Sequence, residues 1–155
     1  MMASGLFAYP SAAGTRASSA FSPQDRLCGR VSKDAVKILI VEDDFLAASE
    51  IEAVLMEAGY QIAGIANRAE EAVRLAKSQA PHLAIMDIRL VGDADGVDAA
   101  LEIFRETGIR CIFATAHHDA HMRSRAQGAA PLGWLAKPYA QHSLIAMVEK
   151  ALAQL

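Results

Sequence analysis

The sequence lacks several features that would place it in other protein classes. It has only two cysteines, Cys28 and Cys111, far apart in segments of different character, so neither a disulfide framework nor a paired zinc motif is expected. No apolar run approaches the roughly 20 residues that a membrane-spanning helix requires. The net charge of −3 supplies no basic face for nucleic acid or for a membrane surface. We therefore expect a cytoplasmic protein that binds neither directly.

The apolar content of the chain is sufficient for one core. Of 155 residues, 53% are hydrophobic and 21% are charged, which suits one ordinary domain and leaves little room for a second. Residues 1–35 are rich in Ala, Ser and Gly and show no sustained periodicity, so we interpret them as a disordered N-terminal extension. Residues 36–155 are expected to form the folded domain.

From Val36 onward, short apolar runs alternate with segments of helical periodicity, which is typical of βα units around a parallel sheet. One-sided apolar stripes lie between the runs, and they indicate helices that cover the faces of the sheet. The runs that are short enough to be strands are residues 36–41, 60–66, 82–86, 110–115 and 133–136. The sequence thus predicts a doubly wound α/β fold with five parallel strands, in which the fourth helix is short.

Local signals mark where several helices begin and end. Asp44 is expected to be the N-cap of the first helix, and Asn67 followed by Glu70 indicates an N-cap with a capping-box partner. Three glycines fall where helices should end and suit left-handed C-caps: Gly59, Gly108 and Gly128. These signals agree with the helical periods.

Polar residues follow the predicted strands at the edge where such sheets place their ligands. Because right-handed crossovers align the carboxyl ends of parallel strands, the residues at those ends should lie close together. They are Glu42, Asp43 and Asp44 after the first strand, Asp87 after the third, Thr115 at the end of the fourth and Lys137 after the fifth.

The predicted cluster favours phosphoryl transfer assisted by a divalent cation. Its carboxylates repel one another, and oxygen ligands select a hard ion such as Mg²⁺ or Mn²⁺. Glu42, Asp43 and Asp87 contribute −3, Lys137 contributes +1 and the ion +2, so the occupied site is neutral and can accept a phosphoryl group. Asp87 would then be the nucleophile that forms an acyl phosphate, with Lys137 and the Thr115 hydroxyl at the phosphoryl oxygens.

Five segments, in this order and at these separations, resemble the motifs of one family. The chain from residue 36 to 155 resembles a receiver domain of the response regulators of two-component signalling. The resemblance implies a CheY-like, or flavodoxin-like, (βα)5 fold with the strand order 2-1-3-4-5. The matching segments are ILIVEDD, LAIMDIRL, DGVDAA, FATA and AKPY.

The resemblance implies roles for the residues at the first and third strands. Asp87 would be the phospho-acceptor. Glu42 and Asp43 would hold the metal together with it, and the backbone carbonyl of Arg89 would be a further ligand. The site would therefore use Mg²⁺ or Mn²⁺.

The remaining matches concern the switch. Thr115 would be the switch hydroxyl, Trp134 the switch aromatic residue and Lys137 the lysine that contacts the phosphoryl group. The family implies a sensor histidine kinase or a histidine phosphotransfer protein as donor, and a downstream protein effector. Phosphorylation would reshape the face made by the fourth helix, the fifth strand and the fifth helix, through which we also expect homodimerisation. No enzyme activity is expected beyond self-phosphorylation from small phosphodonors and self-dephosphorylation.

The chain departs from the family pattern at three places. The loop from Asp87 to Gly96 is one residue longer than usual, and Val91 stands where a proline is common. Trp134 replaces the usual Tyr or Phe, and its indole N–H donates a hydrogen bond but cannot accept one. The stretch FATAHH is also similar to a receiver variant whose fourth strand contains Phe-Ala-Thr-Gly. These departures affect the loop and the switch more than the acceptor chemistry.

Other functions stay open at this point. An aspartyl phosphatase would place a second acid two residues after the nucleophile, where this chain has Arg89. A phosphate-independent interaction module on a receiver scaffold is the other alternative. A dinucleotide site is disfavoured because no G-x-G-x-x-G motif follows the first strand.

Two further clusters have ordinary explanations. His117, His118 and His121 lack additional ligands at zinc spacing, so we expect them to be solvated. Asp93 and Asp95 are explained by turn formation in their loop. No output segment follows the fifth predicted helix, so we expect a stand-alone switch that acts through another protein.

Overall fold

The computed structural model describes residues 32–116 and 120–155. Its strands are β1 (Lys37–Val41), β2 (Gln61–Ala66), β3 (Leu83–Met86), β4 (Cys111–Thr115) and β5 (Gly133–Ala136). Its α-helices are α1 (Phe45–Glu57), α2 (Ala69–Gln79), α3 (Gly96–Thr107), α4 (Ala120–Ala126) and α5 (Gln141–Leu152). The strands form one parallel sheet in the order β2-β1-β3-β4-β5, which confirms the predicted fold. Every strand ends at the predicted residue.

The sheet separates two apolar cores. On one face, α1 and α5 pack against Ile38 and Ile40 of β1, and on the other face α2 and α3 pack against Leu39 and Val41. These four side chains alternate between the faces because successive residues of a strand point to opposite sides. The central strands are buried on both faces, and this is why they are continuous apolar runs in the sequence.

The pairing of β1 with β3 places two acidic residues side by side. Val41 is the partner of Met86, so Glu42 and Asp87 leave the sheet at the same edge. The Asp87 N–H donates to the Val41 carbonyl at 2.8 Å, and the Glu42 N–H donates to the Ala66 carbonyl at 2.9 Å. The backbone pairing therefore continues one residue past each strand and fixes where the two carboxylates begin.

The ends of α1 and α3 agree with the sequence signals. Asp44 is the N-cap of α1, and its side chain accepts hydrogen bonds from the Leu46 and Ala47 N–H groups. Gly108 is the C-cap of α3 in the left-handed conformation, with φ of 74°. Gly59, which follows the α1 C-cap residue Ala58, is left-handed with φ of 91°. These three predictions are confirmed.

The predicted N-cap of α2 is wrong. Arg68 occupies the N-cap position, so Asn67 lies one residue outside the helix. The Asn67 N–H donates to the side chain of Glu71 at 3.3 Å, and not to that of Glu70. A glutamate reaching back four residues thus replaces the expected asparagine cap.

The fourth helix is short, as expected, but it does not end at a glycine. α4 has seven residues and runs into a 3₁₀ turn at Gln127–Ala129, so Gly128 lies inside this turn. The left-handed residue is Ala130, with φ of 47°. The prediction of a C-cap at Gly128 is therefore wrong, because the 3₁₀ turn carries the chain two residues further.

The N-terminal part of the described chain is attached to the domain. Residues 1–31 lie outside the described residues, so the disordered extension stays a prediction. Lys33–Ala35 form a 3₁₀ turn, in which the Lys33 Nζ lies 2.7 Å from a Glu149 carboxylate oxygen. The Asp34 carbonyl accepts a hydrogen bond from the Gln61 side chain at 2.5 Å. In the ranges 32–116 and 120–155, no helix has both the length and the apolar character needed to cross a membrane.

Candidate functional site

One lysine joins two carboxylates at the carboxyl edge of the sheet. The Lys137 Nζ lies 2.5 Å from Glu42 Oε2 and 2.8 Å from Asp87 Oδ2. These residues follow β5, β1 and β3, so three strand ends meet at a single ammonium group. The sequence placed them at this edge, and the structure brings them into direct contact.

Each of the two carboxylates is also held by a backbone amide. The Arg89 N–H donates to Asp87 Oδ1 at 3.2 Å, and the Asp44 N–H donates to Glu42 Oε1 at 3.3 Å. Each carboxylate thus presents one oxygen to Lys137 and the other to the chain. Such charge-assisted hydrogen bonds hold both side chains in defined orientations.

The two carboxylates are largely removed from water. Glu42 is 3% exposed and Asp87 is 9% exposed. Burial raises the pKa of Glu42, and this rise persists although Lys137 opposes it, since the charge of Asp87 adds to it. Burial lowers the pKa of Lys137, but its bonds to Asp87 and Glu42 outweigh burial and hold that pKa above its ordinary value. Lys137 is therefore protonated at neutral pH.

A third carboxylate opens the cluster toward solvent. Glu42, Asp43 and Asp87 each offer an oxygen, and these oxygens lie within 4.8 Å of one another. Asp43 is exposed, whereas the other two are buried. An all-oxygen donor set with one open side fits a hard divalent ion that keeps part of its water shell. The residues present therefore fit Mg²⁺ or Mn²⁺.

The cluster lines a cleft of about 610 Å³ that is flanked by residues of α1 and α5. Thr115 and Arg89 also line this cleft. Thr115 is 2% exposed, and its carbonyl accepts a hydrogen bond from the Lys137 N–H at 3.0 Å. Five of the predicted side chains, those of Glu42, Asp43, Asp87, Thr115 and Lys137, thus share one cleft. The ligand role of the Arg89 carbonyl stays a prediction.

Trp134 lies apart from the cleft. Its ring stacks on that of Phe113 with the centroids 4.6 Å apart, and the Arg123 guanidinium lies 5.0 Å from the Trp134 ring centroid. Trp134, Thr115 and Arg123 line a second, small cavity of about 40 Å³. Thr115 therefore borders both the acidic cleft and the cavity that Trp134 lines.

Gly96 is a site residue whose role the sequence analysis missed. A Cβ atom at this position would lie 1.8 Å from the Asp87 carbonyl oxygen, and the Gly96 N–H donates to the Ile88 carbonyl at 2.8 Å. Only glycine allows α3 to begin so close to the acceptor backbone. The signal was a glycine directly after Asp95, at a helical position where glycine weakens a helix and needs a reason.

Asp95 does more than form a turn. It is the N-cap of α3 and forms a capping box with Asp98. Arg125 of α4 makes an ion pair with each of these aspartates, at 2.8 Å in both cases. Asp95 and Arg125 are 30 positions apart in the chain, and nothing in the local pattern of the sequence indicated their contact.

The histidine cluster stays largely untested. His117 and His118 lie outside the described residues, and His121 is exposed in α4. The expectation that they are solvated therefore remains a prediction.

A five-stranded doubly wound sheet in the order 2-1-3-4-5, with an acid and lysine cluster at its carboxyl edge, defines the CheY-like class of α/β domains. Residues 38–149 match the model of the response regulator receiver domain. The chain belongs to this family, which serves two-component signalling. Receiver domains of this family are signalling switches.

Individual relatives agree with this assignment. The transcriptional regulatory protein PdtaR of Mycobacterium tuberculosis is 35% identical over 118 residues, which make up 76% of this chain and 57% of PdtaR. The phyllosphere-induced regulator PhyR of Methylorubrum extorquens is 32% identical over 119 residues, 76% of this chain and 44% of PhyR. The chain thus spans about half the length of these curated relatives.

A solved structure supports the same fold. The signal receiver domain of a modulated diguanylate cyclase from Desulfovibrio desulfuricans is 37% identical to this chain, with a TM-score of 0.71. The match covers 76% of this chain and 94% of that domain. The similarity therefore extends over nearly the whole of that receiver domain.

Proposed function

We propose that this domain is a phospho-acceptor switch in which Asp87 takes a phosphoryl group from a sensor histidine kinase or a histidine phosphotransfer protein. The observation that carries the proposal is the contact of one protonated lysine with both buried carboxylates, at 2.5 Å and 2.8 Å. Phosphoryl transfer asks a protein mainly for positioning and for stabilisation of negative charge. The cluster of Lys137, Thr115 and the acidic residues is suited to both tasks.

In the proposed reaction, a carboxylate oxygen of Asp87 forms a bond to phosphorus while the bond from phosphorus to the donor imidazole nitrogen breaks. The donor nitrogen keeps the electron pair of the broken bond and takes up a proton, so the histidine side chain leaves as neutral imidazole. Lys137 stabilises the charge on the phosphoryl oxygens, and the Thr115 hydroxyl donates to one of them. Water then attacks the phosphorus of the acyl phosphate, which releases inorganic phosphate, returns Asp87 to its free carboxylate and ends the signal.

The site needs a cation to complete this chemistry. Glu42, Asp43 and Asp87, with the backbone carbonyl of Arg89, would hold Mg²⁺ or Mn²⁺. When bound, the ion supplies positive charge to the transferring phosphoryl group. Without it, three carboxylates face a single ammonium group, and this excess of negative charge repels a phosphodonor. We therefore expect the reaction to depend on the divalent ion.

The output would pass to a downstream protein effector. Thr115 and Trp134 are the proposed switch residues, and both line the small cavity that is bordered by the end of β4, by β5 and by Arg123 of α4. Homodimerisation through that face and a cytoplasmic location remain predictions of the sequence.

The decisive experiment is phosphorylation of the full chain by acetyl phosphate with Mg²⁺, followed by intact-mass spectrometry. The wild-type chain should gain one phosphoryl group, and Asp87→Asn should gain none. Asp93→Asn, an exposed acid in the same loop, is the matched control and should behave as wild type. A wild-type chain that gains no phosphoryl mass contradicts the proposal. Turnover of p-nitrophenyl phosphate would favour the phosphatase alternative instead.

A further inference from the structure

Arg125 connects α4 to the first turn of α3. Its Nη1 lies 2.8 Å from Asp95 Oδ2, and its Nη2 lies 3.3 Å from Asp95 Oδ1 and 2.8 Å from Asp98 Oδ1. The planar guanidinium thus donates hydrogen bonds to both carboxylates. This geometry is specific to arginine, since an ammonium group cannot reproduce the two-pronged contact.

The contact has the features of a defined ion pair. Asp95 and Arg125 are only 28% and 31% exposed at their side chains. The Asp95 carboxylate is also fixed by the Val97 and Asp98 N–H groups of the α3 cap. Burial acts to raise the pKa of Asp95, but Arg125 and these amides outweigh burial and hold that pKa below its ordinary value. The carboxylate therefore stays ionised and available to Arg125.

Asp95 is linked through the backbone to the acceptor. Residues 87–95 form the acceptor loop, and Gly96 follows it directly. The Gly96 N–H is bonded to the Ile88 carbonyl, and a Cβ at residue 96 would overlap the Asp87 carbonyl oxygen. Close-packed backbone of this kind cannot absorb a shift locally. A movement of the Asp87 backbone must therefore displace the first turn of α3, and Asp95 with it.

The same short helix reaches the aromatic pair on its other side. Arg123, two residues before Arg125, lies 5.0 Å from the centroid of the Trp134 ring. The seven-residue α4 is thus attached to the acceptor loop by one arginine and to β5 by another. A change at one of these two attachments would therefore move α4 relative to the element at the other attachment.

We propose that Arg125 is a positioning residue that couples the acceptor loop to α4, so that occupation of Asp87 moves α4 through the Asp95–Arg125 contact. The inference rests on the proposed function of Asp87. It adds a second connection to the one that runs through Thr115 and Trp134, and this connection lies on the opposite side of α4.

The test uses Trp134 as a built-in reporter, because it is the single tryptophan of the chain. Beryllofluoride with Mg²⁺ is added to the full chain as a phosphoryl mimic, and tryptophan emission is recorded. The wild-type emission should change, and Arg125→Gln should lose at least about half of that change, while acetyl phosphate still phosphorylates both chains equally. Arg125→Lys should give an intermediate change. Arg105→Gln, which removes an exposed arginine of α3, should keep the full change.

Two additional measurements separate this proposal from the proposed function. Amide hydrogen exchange without any phosphodonor should be faster in residues 96–99 and 120–126 of Arg125→Gln than in wild type. Asp98→Asn keeps an acceptor oxygen for the α3 capping box, and its addition to Arg125→Gln should reduce the emission change no further, since the contact of Arg125 with Asp98 is already lost in Arg125→Gln. A full emission change in Arg125→Gln, or unaltered exchange in both segments, overturns the coupling. Failure of wild type to take up phosphoryl groups contradicts the function of Asp87, while the exchange result still decides whether Arg125 holds α4.

Discussion

The Lys137 ammonium lies 2.5 Å from the Glu42 carboxylate although the two residues are 95 positions apart in the chain. The Lys137 ammonium also lies 2.8 Å from the Asp87 carboxylate, so one positive charge is shared between two buried negative charges. Burial of an incompletely compensated carboxylate opposes folding. The excess of negative charge at this site is therefore expected to lower the stability of the domain when no cation is present.

The first prediction is that Glu42→Gln stabilises the domain at pH 7 in the absence of divalent ions. The raised pKa of Glu42 means that its ionised form is disfavoured in the folded state relative to the unfolded chain. A neutral amide removes this cost, so the free energy of unfolding should rise. Urea denaturation measures it.

The pH dependence provides the check on this cause. As pH falls, the folded wild type takes up a proton on Glu42 before the unfolded chain does, so the advantage of Glu42→Gln should shrink toward pH 4.5, the ordinary pKa of glutamate. Glu102→Gln, at an exposed position of α3, should show no comparable gain. A less stable Glu42→Gln at pH 7 would disprove the explanation.

The second prediction is that Mg²⁺ raises the melting temperature of the domain. An ion that binds only the folded state stabilises it by about 1.4 kcal/mol when its concentration is ten times its dissociation constant. Asp43→Asn removes the exposed member of the oxygen set and should greatly reduce the Mg²⁺-induced shift in differential scanning fluorimetry. Asp93→Asn should keep it. An equal shift in Asp43→Asn and wild type would exclude Asp43 as a ligand.

The third prediction concerns the approach of Gly96 to Asp87. Gly96→Ala would bring a Cβ atom to 1.8 Å from the Asp87 carbonyl oxygen, so the backbone of the acceptor loop must move. We expect a loss of about 1–3 kcal/mol in unfolding free energy, as for other overpacked sites. The rate of phosphorylation by acetyl phosphate should fall at least tenfold, because the displaced carboxylate loses its alignment with Lys137.

Gly108→Ala is the matched control for this substitution. Gly108 has φ of 74° and open space around the position of a Cβ atom, so alanine there is strained but displaces nothing at the site. It should cost about 1–2 kcal/mol of stability and leave the phosphorylation rate unchanged. If both variants lose phosphorylation in proportion to stability, Gly96 has no special role at Asp87.

The sheet and most of the cleft could be predicted because their signals are local in the sequence. Each strand of the sheet is a short apolar run, and Glu42, Asp87 and Lys137 directly follow three of these runs. Parallel topology then brings the strand ends together without any further information. The order of the strands, by contrast, came from the family resemblance, since periodicity does not distinguish one order from another.

The features that were missed depend on contacts between distant residues or on close backbone packing. The ion pair of Arg125 with Asp95 spans 30 positions and has no periodic pattern. The 3₁₀ turn after α4 shifted the left-handed residue from Gly128 to Ala130, a position at which glycine is intrinsically favoured. Neither feature follows from a local pattern of the sequence, so no local rule detects it.

The fourth prediction is that the contribution of Arg125 to stability depends on pH through Asp95. Because the pKa of Asp95 is lowered from its ordinary value of 3.8, its stabilising contribution is complete above that value and disappears as pH falls through the lowered one. Arg125→Gln should therefore lower the free energy of unfolding by about 0.5–1 kcal/mol at pH 7, which is the range for a partly exposed ion pair. The loss should be the same at pH 5.

As pH falls through the lowered pKa of Asp95, the unfolding free energies of wild type and Arg125→Gln should converge, since protonated Asp95 no longer attracts the guanidinium. Urea denaturation from pH 7 to the acid limit of folding measures the difference. High salt at pH 7 should also reduce the difference in unfolding free energy between wild type and Arg125→Gln, because dissolved ions screen the partly exposed ion pair. Arg74→Gln, which removes an exposed arginine 3.4 Å from Glu71, should change stability little at any pH. A difference between wild type and Arg125→Gln that stays constant from pH 7 to the acid limit would show that Arg125 acts by packing, and not through its charge on Asp95.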